Sequence, residues 1–411
     1  MKWKNRLLSM YSHPEAALFL AVMLVFGASS GLFMGVLNNY LHEILRIDRA
    51  GRGAVEFPRE LPGLLLVGLT ALMARFCEIR MVRVALMLSI AGFAGIGLTG
   101  DIRLSAIAMM VVWSMGEHLM MPLRQSVAVH MARPGREGHA LGSVTGVQNL
   151  GQLAGYYMIP LVFALTGAGR GPKTFTDYRT VFFLGAAVLA AGLALSLRLR
   201  VNDRHVPREK LNFAPKFKKY YILEIFNGAR KQVFLSFAPY VLILIYGAGA
   251  ETLAVLYGIS ATCGILVSSL VGRVIDRFGY RIVLAAESFL LVFMCVLYGF
   301  SHRMFPKPVA ASVVQAMFVL DSVLFVVSIA RASYVKSLST SRNEVTSTLS
   351  TGISINHLVS IVIALLGGLL WEGLGVEVLF TMAGIFGVGS FFFSLTLPGH
   401  GARDSGFGIR G

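Results

Sequence analysis

Glu224, Asn227 and Lys231 stand three and seven residues apart in a stretch, 219–246, that is otherwise largely apolar. On an α-helix those positions share one face, so an acid, an amide and a cation would line up along it. Arg230 and Gln232 flank that face. Arg230 and Lys231 fall about 12 residues, or roughly 18 Å, into such a helix. Two cations at that depth can bind an anionic group of a small molecule. Glu224 and Asp321 can equally neutralise them as structural ion pairs.

A second group lies in 104–128, where Glu117 adjoins His118 and Arg124 follows seven residues later on the face of Glu117. A carboxylate next to a histidine suits proton binding, because burial and neighbouring charge move such groups toward neutrality. Glu117, His118, Asp321 and Glu224 are therefore the candidate proton carriers. Thr145, Gln148, Asn149, Gln152 and Tyr156 form a polar stripe at helical spacing in 140–166. They can contact substrate hydroxyls and amides, or join helices to one another. His357, beside Asn356, is a further substrate contact or a buried hydrogen-bonded histidine. Glu56, Arg59 and Glu60 make an outer gate or an interfacial ion pair. The candidate substrate contacts are thus Asn227, Arg230, Lys231, Gln148, Asn149, Gln152, Tyr156 and His357.

The elements that must position these groups follow from composition. The chain has 411 residues, 55% hydrophobic and 14% charged, where a soluble domain carries about 25% charged residues. A helix needs about 20 apolar residues to cross the hydrocarbon layer and satisfies its own backbone there. Twelve such stretches are present: 15–38, 55–74, 82–100, 104–128, 140–166, 180–198, 219–246, 252–273, 282–300, 308–332, 344–371 and 375–397. The expected fold class is an all-α membrane protein. The net charge of +16 resides in loops without aromatic interleaving, so cytoplasmic loops explain it better than nucleic acid does. The Lys and Arg bias puts both termini in the cytoplasm of an inner membrane. The basic start, Met1 to Arg6, precedes a long apolar run and reads as the flank of a retained span. Cys77, Cys263 and Cys295 fall in no outward loop, so no disulfide is expected.

No Cys and His pair has metal-ligand spacing, and no phosphate-binding glycine loop, nucleophile elbow or zinc helix occurs. The expectation is a protein without metal or cofactor that is not an enzyme.

The chain repeats itself. Ala74-Arg75-Phe76-Cys77-Glu78 with Arg83 matches Gly272-Arg273-Val274-Ile275-Asp276 with Arg281. Arg136 with Thr145-Gly146 matches Arg342 with Thr351-Gly352, and Arg124-Gln125-Ser126 matches Arg331-Ala332-Ser333. The matches fall in order at equivalent span ends on the cytoplasmic side. This divides the chain into residues 1–198, a basic linker 199–218, and 219–411. The linker carries Pro207 and Pro215, and its charge suits anionic lipid headgroups. Asp276, at a helix end near Arg273, Arg277 and Arg281, can hold two bundles closed through charge-assisted bonds that break on opening. By the repeat, Arg75, Glu78, Arg83, Arg124, Arg136 and Arg331 join this candidate gating set.

The segment Gly272-Arg273-Val274-Ile275-Asp276-Arg277-Phe278-Gly279-Tyr280-Arg281 resembles the Gly-x-Leu-x-Asp-Arg-x-Gly-Arg-Lys loop of the major facilitator superfamily. That family carries one copy in each half, between helices two and three and between eight and nine. Pro134 to Gly142 resembles its loop into helix five, and Gly367-Gly368 through Gly375 its junction between helices eleven and twelve. The first-half loop departs at Glu78 and at Met81, where the second glycine would stand. Helix five offers Gly142, Gly146, Gly151 and Gly155 in place of the Gly-Pro pair of the drug/proton antiporters. The resemblance implies two pseudo-symmetric six-helix bundles rocking about a midplane site, with helices three, six, nine and twelve facing lipid. The distribution of mid-span charge agrees with this arrangement.

The expected function is secondary active transport, driven by protons, of a small polar or anionic organic solute, by a monomer among membrane lipids. Export of hydrophobic drugs or lipids is the alternative. A non-transporting receptor or scaffold with a transporter fold is the second.

Overall fold

The computed structural model describes residues 11–65, 77–168, 173–200 and 211–399, without the side chains of Ser269, Arg342, Asn343 and Thr346. Arg75, half of the linker (201–210) and the end of the second expected span lie outside these residues. Twelve α-helices occur among the described residues, with no strand. They are α1 (Ala16–Glu43), α2 (Arg49–Leu64), α3 (Glu78–Thr99), α4 (Arg103–Met131), α5 (Glu137–Leu165) and α6 (Phe175–Ser196). After a short 3-10 turn at Pro215–Phe217 come α7 (Lys218–Leu244), α8 (Ala250–Met304), α9 (Lys307–Phe325), α10 (Ser328–Leu338), α11 (Arg342–Leu374) and α12 (Val376–Leu395).

Helix count and span count agree only by compensation. α8 holds the eighth and ninth expected spans. Its two arms meet at Gly279, where φ 77° and ψ 159° leave the helical region. This is the second glycine of the loop motif, in a conformation that is essentially restricted to glycine. The tenth expected span is divided in turn between α9 and α10. There Val326 and Val327 donate to Val323 and Leu324, and Ile329 and Ala330 donate to Val326 and Val327. Such tightened i→i−3 turns inside a helix mark a hinge or a strained segment.

Nine segments among the described residues are long and apolar enough to cross a membrane. The three expected spans that miss this measure are α2, which is described over 16 residues, α5 and α7. α2 begins at Arg49, earlier than the expected 55. Its first turns are polar, but Arg52 and Glu56 pair with each other while buried, and Arg52 lies 5.6 Å over the Tyr240 ring. Hydropathy cannot register a turn whose charges cancel. The chain is an integral membrane protein.

The chain divides into two compact units. Unit 1 comprises Met1–Asp48, Phe57–Arg208 and Ala248–Ala261. Unit 2 comprises Arg49–Glu56, Glu209–Gly247 and Thr262–Gly411. In unit 1 Phe33 stacks on Trp113 with ring centroids 3.6 Å apart, and Phe93, Phe182 and Tyr40 pack edge-on around them. α1 and α5 touch backbone to backbone. A Cβ at Gly27 would stand 2.0 Å from the Gln148 carbonyl oxygen, and one at Gly151 would stand 2.0 Å from that of Leu24. Lipid gives no hydrophobic drive for helices to associate, so small residues that admit close packing supply the attraction. In unit 2 Phe234, Tyr298 and Phe380 join α7, α8 and α12 at centroid distances of 4.9 to 5.5 Å.

Candidate functional site: buried ion networks

α7 is the organising helix of unit 2. Glu224 and Lys231, two turns apart on one face, both meet Asn356 of α11. Asn356 Nδ2 donates to Glu224 at 3.2 Å, and Lys231 Nζ donates to Asn356 Oδ1 at 3.0 Å. Arg230 points elsewhere, as a residue adjacent to Lys231 on a helix must. Its Nη1 donates to Asp321 of α9 at 2.8 Å, and its Nη2 lies 3.4 Å from Glu287 on the second arm of α8. Glu287 also faces Arg331 of α10 at 3.4 Å, and Arg331 Nε lies 3.2 Å from Glu224. The result is a chain of alternating charge through five helices. The break between α9 and α10 puts Asp321 and Arg331 on separate helices within one span.

Asn227 lies beside Arg230 at the wall of a cavity of about 20 Å³ that Glu287, Ser288, Arg331 and Ser390 also line. His357 is half-buried on α11. Of the sequence candidates in unit 2, the structure therefore joins Glu224, Arg230, Asp321 and Arg331 in one network, with Lys231 attached through Asn356. Arg331 enters as an ion-pair partner at depth. Glu287, near the start of the ninth expected span, is not among those candidates and sits at the centre. Its signal in the sequence was an acid in an otherwise apolar run.

Unit 1 carries a second group. Glu117 accepts a hydrogen bond from Ser30 of α1 at 2.9 Å. His118, the next residue, turns to another side. Its Nδ1 lies 2.9 Å from the Ser114 carbonyl oxygen, and its Nε2 lies 3.8 Å from Glu60. Glu117 and His118 are thus not partners, because consecutive helical positions do not face each other. Arg124 donates to Gln148. Of the α5 stripe, Gln148 and Tyr156 are buried, Gln152 donates to Tyr156 at 2.9 Å, and Thr145 and Asn149 are exposed. Tyr156 stacks on Tyr257, centroids 5.3 Å apart. Arg59 pairs with Glu60, and Ser114 donates to the Arg59 carbonyl.

Unit 1 also holds an ion pair that the sequence did not flag. Lys173 lies 2.6 Å from Glu251, and its backbone N–H donates to Glu43 at 2.6 Å. A lysine in a loop between two spans gives no sign of burial until its loop is folded.

The gating candidates divide. Glu78 is buried and accepts from Ser126 of α4. Arg83 donates to the carbonyls of Ser196 and Leu199 at 3.1 and 2.9 Å. Asp276, Arg273, Arg277 and Arg136 are exposed and Arg281 is half-buried. Arg277 lies 5.3 Å over the ring of Phe278.

No family model matches the sequence, and no curated protein does. Solved structures match over nearly their whole length. A D-xylose–proton symporter aligns with a TM-score of 0.72 over 93% of this chain and 97% of its own, at 14% identity. A POT family transporter in complex with 5-aminolevulinic acid aligns at 0.71 over 93% and 95%, at 12% identity. The nucleoside transporter NupG aligns at 0.68 over 93% and 98%, at 13% identity. The chain has the major facilitator fold. At these identities the likeness is one of fold. Within the major facilitator fold the heavier network occupies unit 2, and unit 1 keeps Glu117 with Ser30 and Arg124 with Gln148.

Proposed function

We propose that the protein is a secondary active transporter that works by alternating access and couples a small polar or anionic organic solute to protons. The observation that carries this reading is the chain of buried acids and bases on α7 to α11. An ionisable side chain at bilayer depth costs about 3 kcal/mol on insertion scales, so such groups mark substrate and ion pathways. Arg230 holds Asp321 at 2.8 Å. A proton on Asp321 would cancel that acid's charge, and an anionic group of the solute could then take its place on Arg230, while Lys231, on a different face of α7, offers a second cation. Asn227, His357 and the α5 amides would meet the solute's neutral polar groups. Glu117, His118 and Glu224 are the further proton carriers.

The similar structures include two named as proton symporters, for D-xylose and, from E. coli, for fucose, and these names support proton coupling. We place the protein in a bacterial inner membrane with both termini cytoplasmic, on the bias of Lys and Arg among its loops. The gating candidates would act at the cytoplasmic ends of the helices.

The test is uptake of labelled organic anions and neutral polar solutes into proteoliposomes under an imposed proton gradient. The gradient should accelerate uptake of at least one anion. Lys231→Gln should lower that uptake about tenfold to a hundredfold, the worth of one hydrogen bond to a charged group at about 1.5–3 kcal/mol. Uptake indifferent to the gradient removes the coupling. Uptake indifferent to Lys231→Gln removes the anion site.

A further inference from the structure

The buried cations Arg52, Arg59, Lys173, Arg230 and Arg331 each face a carboxylate. Arg124 of α4 does not. Its Nη1 donates to the side-chain oxygen of Gln148 on α5, and its Nε is buried with no hydrogen-bond partner among the described residues. A neutral amide accepts a hydrogen bond but leaves the guanidinium charge uncompensated. A charge at bilayer depth is costly, and it faces a partner or a water-filled space.

Glu117 is its counterpart of opposite sign. It stands seven residues earlier on the same helical face, about 10 Å away along the axis. Its carboxylate accepts from the Ser30 hydroxyl of α1, at 2.9 and 3.2 Å to its two oxygens. Among the described residues neither Glu117 nor Arg124 is in ion-pair contact with the other or with a further charge. Met121 completes the stripe between them. Glu117, Met121 and Arg124 are all only half-buried, whereas His118, Leu119, Met120 and Leu123 on the same turns are buried. The stripe is therefore partly open.

The seam of α1 and α5 fixes the two neutral partners. A Cβ at Gly27 would stand 2.0 Å from the Gln148 carbonyl oxygen, and one at Gly31 would stand 2.2 Å from that of Gln152. Ser30 and Gln148 thus come from two backbones in direct contact, and each holds one charge of α4 in place. Two opposite charges set apart on an open stripe suit a small molecule charged at both ends. The planar fork of an arginine matches a carboxylate, and a carboxylate accepts from an ammonium group.

We propose that Arg124 binds the carboxylate, and Glu117 the ammonium group, of a small aminocarboxylate. The proposal rests on the reading of the protein as a transporter of a small polar or anionic solute, and it narrows that solute to a zwitterion. The purified full-length protein is titrated by calorimetry with glycine, γ-aminobutyrate and ε-aminocaproate, and with butyrate and butylamine as carriers of one charge each. At least one aminocarboxylate should bind about tenfold or more tightly than both controls. Arg124→Gln should weaken that binding about tenfold to a hundredfold, and Glu117→Gln should erase the preference over butyrate. No preference for any aminocarboxylate, or a preference intact in folded Arg124→Gln, overturns the proposal; gradient-driven uptake of another solute into proteoliposomes would then leave the transport reading standing. Binding with the expected losses, but no uptake of the bound compound, upholds the site and overturns the transport reading. Should Arg124→Gln fail to fold, Gln148→Glu decides: its new carboxylate occupies Arg124, and binding that it leaves unchanged overturns the proposal.

Discussion

Arg230 of α7 and Asp321 of α9 meet at 2.8 Å, with the arginine side chain 4% exposed. Both groups have left water, so their attraction largely offsets a desolvation cost and adds little net stability. The cost returns when one partner is removed and the other is stranded. Asp321→Asn and Arg230→Gln are each expected to cost about 3–5 kcal/mol. Asp321→Asn should fall at the lower end, because Glu287 remains beside Arg230. The double variant Arg230→Met with Asp321→Leu should cost far less than the sum. Thermal unfolding of the four proteins in one detergent checks this, and strictly additive losses would contradict the pairing.

The seam between α1 and α5 makes a sharper distinction among glycines than the sequence can. A Cβ at Gly151 would stand 2.0 Å from a backbone oxygen of α1, while one at Gly146 would meet nothing within 4 Å. Gly151→Val should push the helices apart at a cost of about 1–3 kcal/mol or more. Gly146→Ala should be neutral or stabilising by about 0.5–1 kcal/mol, since it only restrains the unfolded chain. Unfolding midpoints in the reverse order would rule out the seam.

Gly279 tests the joint between the two arms of α8. At φ 77° and ψ 159° a side chain is strained at a cost of about 1–3 kcal/mol. Gly279→Ala should therefore lower the yield of monodisperse protein after heating. Gly272→Ala, in the same motif but with nothing within 4 Å of its Cβ, should not. Size-exclusion profiles of heated samples separate the two.

Glu344, before the membrane-spanning part of α11, gives a pH prediction with a definite sign. Lys216 Nζ lies 2.5 Å from its carboxylate, and the Thr340 backbone N–H donates to it at 2.7 Å. These bonds, that to Lys216 first, hold its carboxyl below the usual range. A carboxyl depressed by folding contributes stability above its unfolded value and loses it as the pH falls through its folded value. Wild type and Glu344→Gln should differ in unfolding midpoint at neutral pH and converge in acid. A gap that widens toward acid would contradict the assignment.

Much of the fold was legible because spanning is a local property. A run of about 20 apolar residues is a membrane helix whatever surrounds it, and the expected spans sit close to the observed helices. The exceptions have local causes of a different kind. α2 starts early because Arg52 and Glu56 cancel each other. The tenth span breaks at Val326–Val327, where no proline or glycine marks the place. The site was legible only as a set of candidates. Glu224, Asn227 and Lys231 share a face because helical spacing puts them there. That Arg230 serves Asp321 and Glu287, and that Glu117 and His118 part company, could not be read off in the same way.

The sequence by itself determined that this chain is a helical membrane protein with repeated loops and a polar minority of spans. The energy of placing apolar and polar residues in lipid is summed along each helix independently. Tertiary structure decided which charge answers which. That depends on the rotation of five helices about their own axes and on a break inside one span. A buried ion pair forms only where side chains from different helices arrive within a few ångströms of one another, a condition that no single segment contains.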